Sequence, residues 1–159
     1  MRKAIVILII FNAVCAFGQL TQDALAAAVA QQQCAGIADE LNRTPLLSED
    51  MKFNGAVCLF RNGEVEQALA LFQEIRQLEA QKQHIAAFWE AKCFASLGQD
   101  SLALQPLLAI PPRQLNYLML TQPMFDRLAK NNATFIQLKE SLKPGFNIWT
   151  GALAITAAI

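Results

Sequence analysis

The chain has 159 residues, in which 13 basic side chains balance 13 acidic ones. Nucleic acids and anionic membrane surfaces bind faces that are rich in lysine and arginine, so an even charge balance speaks against nucleic acid and anionic lipid as partners. The length remaining after a short leader is removed corresponds to one ordinary domain.

The first 18 residues have the pattern of a secretory signal peptide. Two basic residues precede an uncharged apolar run over residues 4–11, and small residues follow at Ala16 and Gly18. Cleavage after Gly18 would make Gln19 the first residue of the exported protein, and cleavage after Ala16 is the second choice. The protein is therefore expected in the periplasm or outside the cell, either free or associated with a membrane.

Apolar residues then recur every three or four positions, which predicts an all-α fold without strands. The first helix is predicted from Thr21, its N-cap, to about Asn42, with Leu25 and Leu41 on its apolar face. Pro45 ends this segment, because proline disfavours helical backbone in the residue before it.

From residue 49 the chain repeats itself at an offset of 35 residues. The matched positions are Ala56, Leu59, Gly63, Ala68, Phe72 and Ile75, followed by Ala91, Phe94, Gly98, Ala103, Leu107 and Ile110. A small residue in each helix lets the two helices of an antiparallel pair approach closely, and a glycine in the turn permits a positive φ. This pattern predicts two helix pairs, over about residues 49–83 and 84–112.

The segments 53–75 and 87–110 resemble tetratricopeptide repeats. They depart from the family pattern at Gly55 and Glu90, where a large apolar residue is usual, and at Ala80, where proline often closes the repeat. The second repeat also ends early, at Pro111-Pro112. The resemblance implies a short right-handed α-solenoid of antiparallel helix pairs. Its exposed ends need capping helices at the N-terminal and C-terminal sides, because each repeat buries its apolar face only against a neighbour.

Beyond Pro112 the apolar spacing predicts two or three short helices, a cap over residues 113–143 that completes a domain of residues 19–143. The tail, residues 144–159, carries no charge from Phe146 to Ile159 and is too short to cross a bilayer by itself. Three interpretations remain open. The tail is an arm folded onto the repeats, a contact for a partner or a membrane, or the start of a transmembrane helix in a longer, membrane-anchored protein.

Three of the four cysteines, Cys34, Cys58 and Cys93, follow the leader without the spacing of a metal or haem site. In an oxidising compartment they permit either one disulfide with one thiol left over or three buried thiols. Cys58 and Cys93 occupy matching repeat positions where the family usually carries alanine. We therefore favour three buried thiols that act as small packing residues.

The resemblance also implies that the first helix of each repeat lines a concave groove for a partner segment. The positions carried over are Asp50, Phe53, Asn54, Val57 and Arg61 in the first repeat and Ile85, Phe88, Trp89, Lys92 and Ser96 in the second. In the best-known variant of this groove, an array of Lys, Asn and Arg holds a C-terminal carboxylate. The corresponding places here are largely apolar or aromatic, so the groove should favour a hydrophobic stretch of a protein or peptide. The alternative is that Phe88 and Trp89 pack against the terminal helices.

These features predict an exported protein–protein interaction or scaffolding module. The alternative function is a carrier or chaperone that shelters apolar ligands or segments. An enzyme is not expected, because the only histidine, His84, lies at a helix start and no nucleophile–base pair, paired catalytic carboxylates or phosphate-binding loop is recognisable. No cofactor or metal is indicated either.

Overall fold

The computed structural model describes residues 21–35, 41, 48–78 and 81–144. The predicted signal peptide and the predicted tail beyond residue 144 lie outside these residues. The helices are α1 (Gln22–Ala30), α2 (Glu49–Asn62), α3 (Val65–Leu78), α4 (Gln83–Ser96), α5 (Asp100–Leu108), α6 (Asp126–Asn131) and α7 (Ala133–Ser141), with short 3-10 helices at Tyr117–Thr121 and Pro123–Phe125. The described residues contain no strand, which confirms the predicted all-α class. Within them, no helix has both the length and the apolar character needed to span a membrane.

Helix α1 begins where the sequence predicts and ends earlier. The Thr21 hydroxyl caps it by accepting a hydrogen bond from the Ala24 N–H. The helix predicted to run unbroken to about Asn42 instead stops at Ala30, and Gln32 takes a left-handed conformation with φ +58°. The Gln33 N–H then bonds to the Ala28 carbonyl, which closes the helix end as a glycine turn does elsewhere in the chain. This helix end could not be predicted from the sequence, because the left-handed residue is not glycine.

The chain divides into two compact units, residues 1–86 and 87–159, with the division inside α4. In the first unit, α2 and α3 form an antiparallel pair. The Lys52 ammonium and the Glu74 carboxylate bridge the two helices at 2.5 Å. Between the helices Ala56 and Ala68 are fully buried, and Phe72 packs beside them. The two alanines permit the close approach that the repeat pattern predicts.

Helix α1 packs on α2 in the first unit, and the two helices run parallel. Gln22 donates to the Asp50 carboxylate at the start of both helices, and Arg61 donates to the Val29 carbonyl at their ends. Cys34, just after α1, forms a disulfide with Cys58 of α2 across a Cα–Cα distance of 4.9 Å. The favoured prediction of three buried thiols is therefore wrong for this pair.

The turns inside the two repeats are built in the same way. Gly63 has φ +89° and Gly98 has φ +80°. After α2, the Glu64 N–H bonds to the Leu59 carbonyl, and after α4 the Gln99 N–H bonds to the Phe94 carbonyl, 35 residues later in each case. A left-handed residue with this backbone hydrogen bond is the Schellman ending of a helix. The sequence match therefore corresponds to a match in backbone geometry.

An apolar core lies in the second unit. Side chains of α4 and α5 form it together with side chains from the segments after α5. Its buried members include Ala91, Ala103, Leu107, Leu115, Leu120, Phe125, Leu128 and Phe135. Helix α5 has only nine residues and contains Pro106, which lacks the N–H that a helix interior needs. The second repeat ends early, as the sequence predicts, and the segment from residue 113 supplies the apolar surface that a longer helix would have supplied.

Candidate partner-binding surface

Trp89 and Lys92 form the most distinctive pair on the predicted groove face. They lie three residues apart in α4, so their side chains emerge from the same side of the helix. The Lys92 ammonium is 3.5 Å from the centroid of the Trp89 ring and 5.8 Å from that of Phe88. An ammonium over an indole face is held by the electrostatic attraction of the ring. The Trp89 side chain is thereby fixed while part of its surface stays exposed.

Phe88 belongs to the core of the second unit. Its residue surface is only 7% exposed, and its ring centroid lies 6.0 Å from that of Phe125. Phe125 in turn contacts Phe135 of α7, with ring centroids 5.7 Å apart. Of the two roles that the sequence leaves open for Phe88, packing against the C-terminal helices is the one found. Of the two aromatic groove positions on α4, Trp89 is therefore the one that keeps exposed surface.

Lys92 and its neighbours Glu90 and Cys93 are buried. Glu90 and Lys92 are 6% and 8% exposed, and Cys93 is fully buried. Burial raises the pKa of the Cys93 thiol to about 12, although the Lys92 ammonium beside it lowers that pKa. The reactive form of cysteine is the thiolate, so Cys93 is a packing residue and not a nucleophile at neutral pH.

The first-repeat positions lie on α2 and are shared with other parts of the first unit. Asp50 forms an ion pair with Lys82 at 2.5 Å and also accepts from Gln22. Val57 is buried and Arg61 bonds to the end of α1, whereas Asn54 is only half-buried. Phe53 contacts Phe72 edge to face, with ring centroids 5.7 Å apart.

Ile85 and Ser96 both keep exposed surface. Ile85 belongs to the first unit, where it is 43% exposed, and Ser96 is the last residue of α4. Their role as partner contacts stays a prediction.

Two structural contacts at these helices were not predicted from the sequence. The first is the contact of Cys34 with Cys58, which the turn at Gln32 allows. The second is Arg127, whose guanidinium donates to the Ala95 carbonyl and to the Asp100 carboxylate. It lies 3.5 Å from the position that a side chain on Gly98 would take, so it braces the turn between α4 and α5. An arginine 27 residues beyond its partner carries no local sequence signal.

Neither a metal-binding cluster nor similarity to known proteins identifies the function of this surface. Among the residues that the structure describes, no three His, Cys, Asp or Glu side chains come together as a metal ion would require. The role of Trp89 and Lys92 therefore rests on their own geometry. No protein-family model matches the chain, and neither a curated protein nor a solved structure matches it.

Proposed function

We propose that the protein is an exported protein–protein interaction module that binds a hydrophobic partner segment on the Trp89–Lys92 face of α4. The observation that carries this proposal is the ammonium stacked 3.5 Å over a partly exposed indole. Tryptophan gives more contact area than any other side chain and is enriched among the residues that dominate binding energy. Export to the periplasm or the cell exterior rests on the pattern of residues 1–18 alone.

The stacked lysine supports this role in a second way. A side chain that is already fixed loses less conformational freedom when a partner binds, so less of the contact energy is spent on ordering it. The face is thus preorganised, which suits recognition of an apolar side chain from an extended or helical segment.

Replacing Trp89 tests the proposal. A photo-crosslinking amino acid at Ser96, seven residues further along α4, should trap a partner in the native exported fraction. In the same protein Trp89→Ala should weaken capture by roughly 10- to 100-fold, while the melting temperature shows whether the fold is intact. Lys92→Met should weaken capture less, and Lys92→Arg should retain it because arginine also stacks on indole.

The matched control carries the crosslinker at Gln105, an exposed position on α5. Crosslinking that is equal at both positions, or capture that survives Trp89→Ala, would show that this face is not the binding surface. The carrier alternative predicts a different result. A carrier should take up a fluorescent apolar probe stoichiometrically, whereas an interaction module should bind it weakly.

A further inference from the structure

Helix α1 covers the face of α2 that bears three of the predicted groove positions. Asp50 and Arg61 contact the beginning and the end of α1, and between them Val57 is 2% exposed. A short helix of the chain itself therefore lies where the repeat resemblance implies a partner segment. This arrangement belongs entirely to the first unit and does not involve Trp89 or Lys92.

Side chains from the last turn of α2 donate hydrogen bonds to backbone carbonyls at the end of α1 and in the turn after it. Arg61 donates to the Val29 carbonyl, and Asn62 donates to the Cys34 carbonyl at 2.7 Å. The last carbonyl groups of a helix have no partner within that helix, so side-chain donors stabilise them. The surface of α2 thus recognises the carbonyl end of a helix as well as its apolar side.

Within the described residues, the other contacts of α1 are weak. It has nine residues, which is too short for a helix to be stable by itself in water. Leu25 is its only buried residue, and the hydrogen bonds of Gln22 to Ser48 and Asp50 are exposed to solvent. The covalent bond between Cys34 and Cys58 is therefore the strongest single constraint on this helix.

We propose that residues 21–35 are an internal ligand of α2 that the Cys34–Cys58 disulfide retains and that a dithiol reductant releases. A thiolate of the reductant attacks the Cys34 sulfur, the S–S bond breaks, and Cys58 leaves as a thiolate that takes up a proton. The second thiol of the reductant then displaces Cys34, so the reductant becomes a disulfide and the protein gains two thiols. The freed face of α2 then accepts an apolar, alanine-rich helix supplied by another molecule.

Reduction requires a local opening, because Cys34 and Cys58 are 2% and 0% exposed. Cys34 lies in the turn after α1, and its neighbours Gln33 and Ala35 are exposed. A turn at the edge of a unit opens at a much lower free energy than the core does. The reductant therefore meets Cys34 first, and Cys58 stays on its helix.

Hydrogen exchange of the intact protein tests the release. On addition of dithiothreitol, the amides of residues 22–30 should exchange at least about tenfold faster, while those of α3 and of α6–α7 stay unchanged. Cys93→Ala, which alters a cysteine outside the disulfide, should respond as the wild type does. Unchanged exchange in α1 would overturn the proposal, because the disulfide would then not retain this helix. An equal rise in every helix would also overturn it, because the disulfide would then stabilise the whole fold.

A trapping experiment tests the freed surface. In a Cys34→Ser/Cys93→Ala protein only Cys58 is left in the described helices, and circular dichroism shows whether they are formed. A peptide of residues 21–35 should form a mixed disulfide with Cys58 at least about fivefold faster than a scrambled peptide with the same cysteine. Arg61→Ala should remove that preference.

The failing results of the trapping experiment are equally clear. Equal rates for the two peptides, or no adduct with either, would refute the helix-binding surface. None of these outcomes depends on partner capture through Trp89, so failure of this proposal and failure of the proposed function can be told apart.

Discussion

Among the described residues, Gln32 is the non-glycine residue with a positive φ. It takes φ +58°, whereas the corresponding helix ends use Gly63 and Gly98. A left-handed conformation costs a residue with a Cβ atom roughly 1–2 kcal/mol. The glycines could be predicted as turn positions from the sequence, and Gln32 could not, because no residue type marked it.

Gln32→Gly should therefore stabilise the protein. The expected gain is about 1 kcal/mol in the free energy of unfolding, since glycine adopts positive φ without the steric penalty. Denaturant titration measures it. The control is Gln31→Gly, where the native φ is −86° and glycine only adds freedom to the unfolded chain. That variant should be less stable than the wild type, and a gain at both positions would contradict the argument.

Cys93 predicts a pH effect on stability. Its thiol has a pKa of about 12 in the fold against an ordinary value of 9.0, so above pH 9 the unfolded chain loses this proton while the folded chain keeps it. The stabilisation is complete below pH 9 and is lost as pH rises towards 12. Between pH 8 and 10.5 the loss should be about 2 kcal/mol.

Cys93→Ala isolates the contribution of this thiol from every other effect of pH on stability. The free energy of unfolding of wild type and variant is compared at each pH. The difference between them should shrink as pH rises, and a constant difference would show that the buried thiol is not responsible.

At the level of helices, Ala68 and Ala103 occupy equivalent places in the two repeats and are both fully buried. Ala68→Leu or Ala103→Leu should overpack the contact between neighbouring helices and lower the free energy of unfolding by roughly 1–3 kcal/mol. Gln67→Leu and Gln105→Leu add an apolar side chain at exposed positions and should be nearly neutral. If all four variants melted alike, the packing assignment would be wrong.

The helices that could be predicted are those whose signals are local. The glycine turns and the alanine positions fix α2 to α5 within a few residues, because a turn and the helices beside it depend on neighbouring residues. The sequence predicts two or three short helices after Pro112, and the structure has two α-helices and two 3-10 segments there. The 3-10 segments at Tyr117–Thr121 and Pro123–Phe125 could not be predicted, because they depend on how Leu120 and Phe125 reach the core. The disulfide was not the favoured prediction, because Cys58 and Cys93 match in the repeat as small packing residues and no local signal pairs two cysteines that are 24 residues apart.

The candidate surface was predictable only in part. Spacing placed Trp89 and Lys92 on one side of α4, and the chemistry of their contact follows from the residue types. Burial of Phe88 depends on Phe125, which is 37 residues away in the chain, and no periodic pattern reports such a contact. Pairings between distant segments are therefore the part of the site that only three-dimensional geometry supplies.

For the molecule as a whole, the leader makes a testable prediction about its mature form. The exported protein should begin at Gln19, because the small residues Ala16 and Gly18 suit the signal peptidase. Intact-mass measurement of the exported fraction determines the first residue. A mass that begins at Val14, Cys15 or Phe17 would move the cleavage site, and one that retains residues 1–18 would exclude the leader.

The Cys34–Cys58 bond joins cysteines that are consecutive in the chain after the predicted leader. If the protein is exported as proposed, translocation from the N-terminus would present these two thiols to the oxidising compartment first, and Cys93 would emerge 35 residues after Cys58. The two incorrect pairings both need Cys93, whose thiol becomes unreactive once α4 is packed. Vectorial oxidation alone then yields the native bond, and the protein should mature without help from a disulfide isomerase.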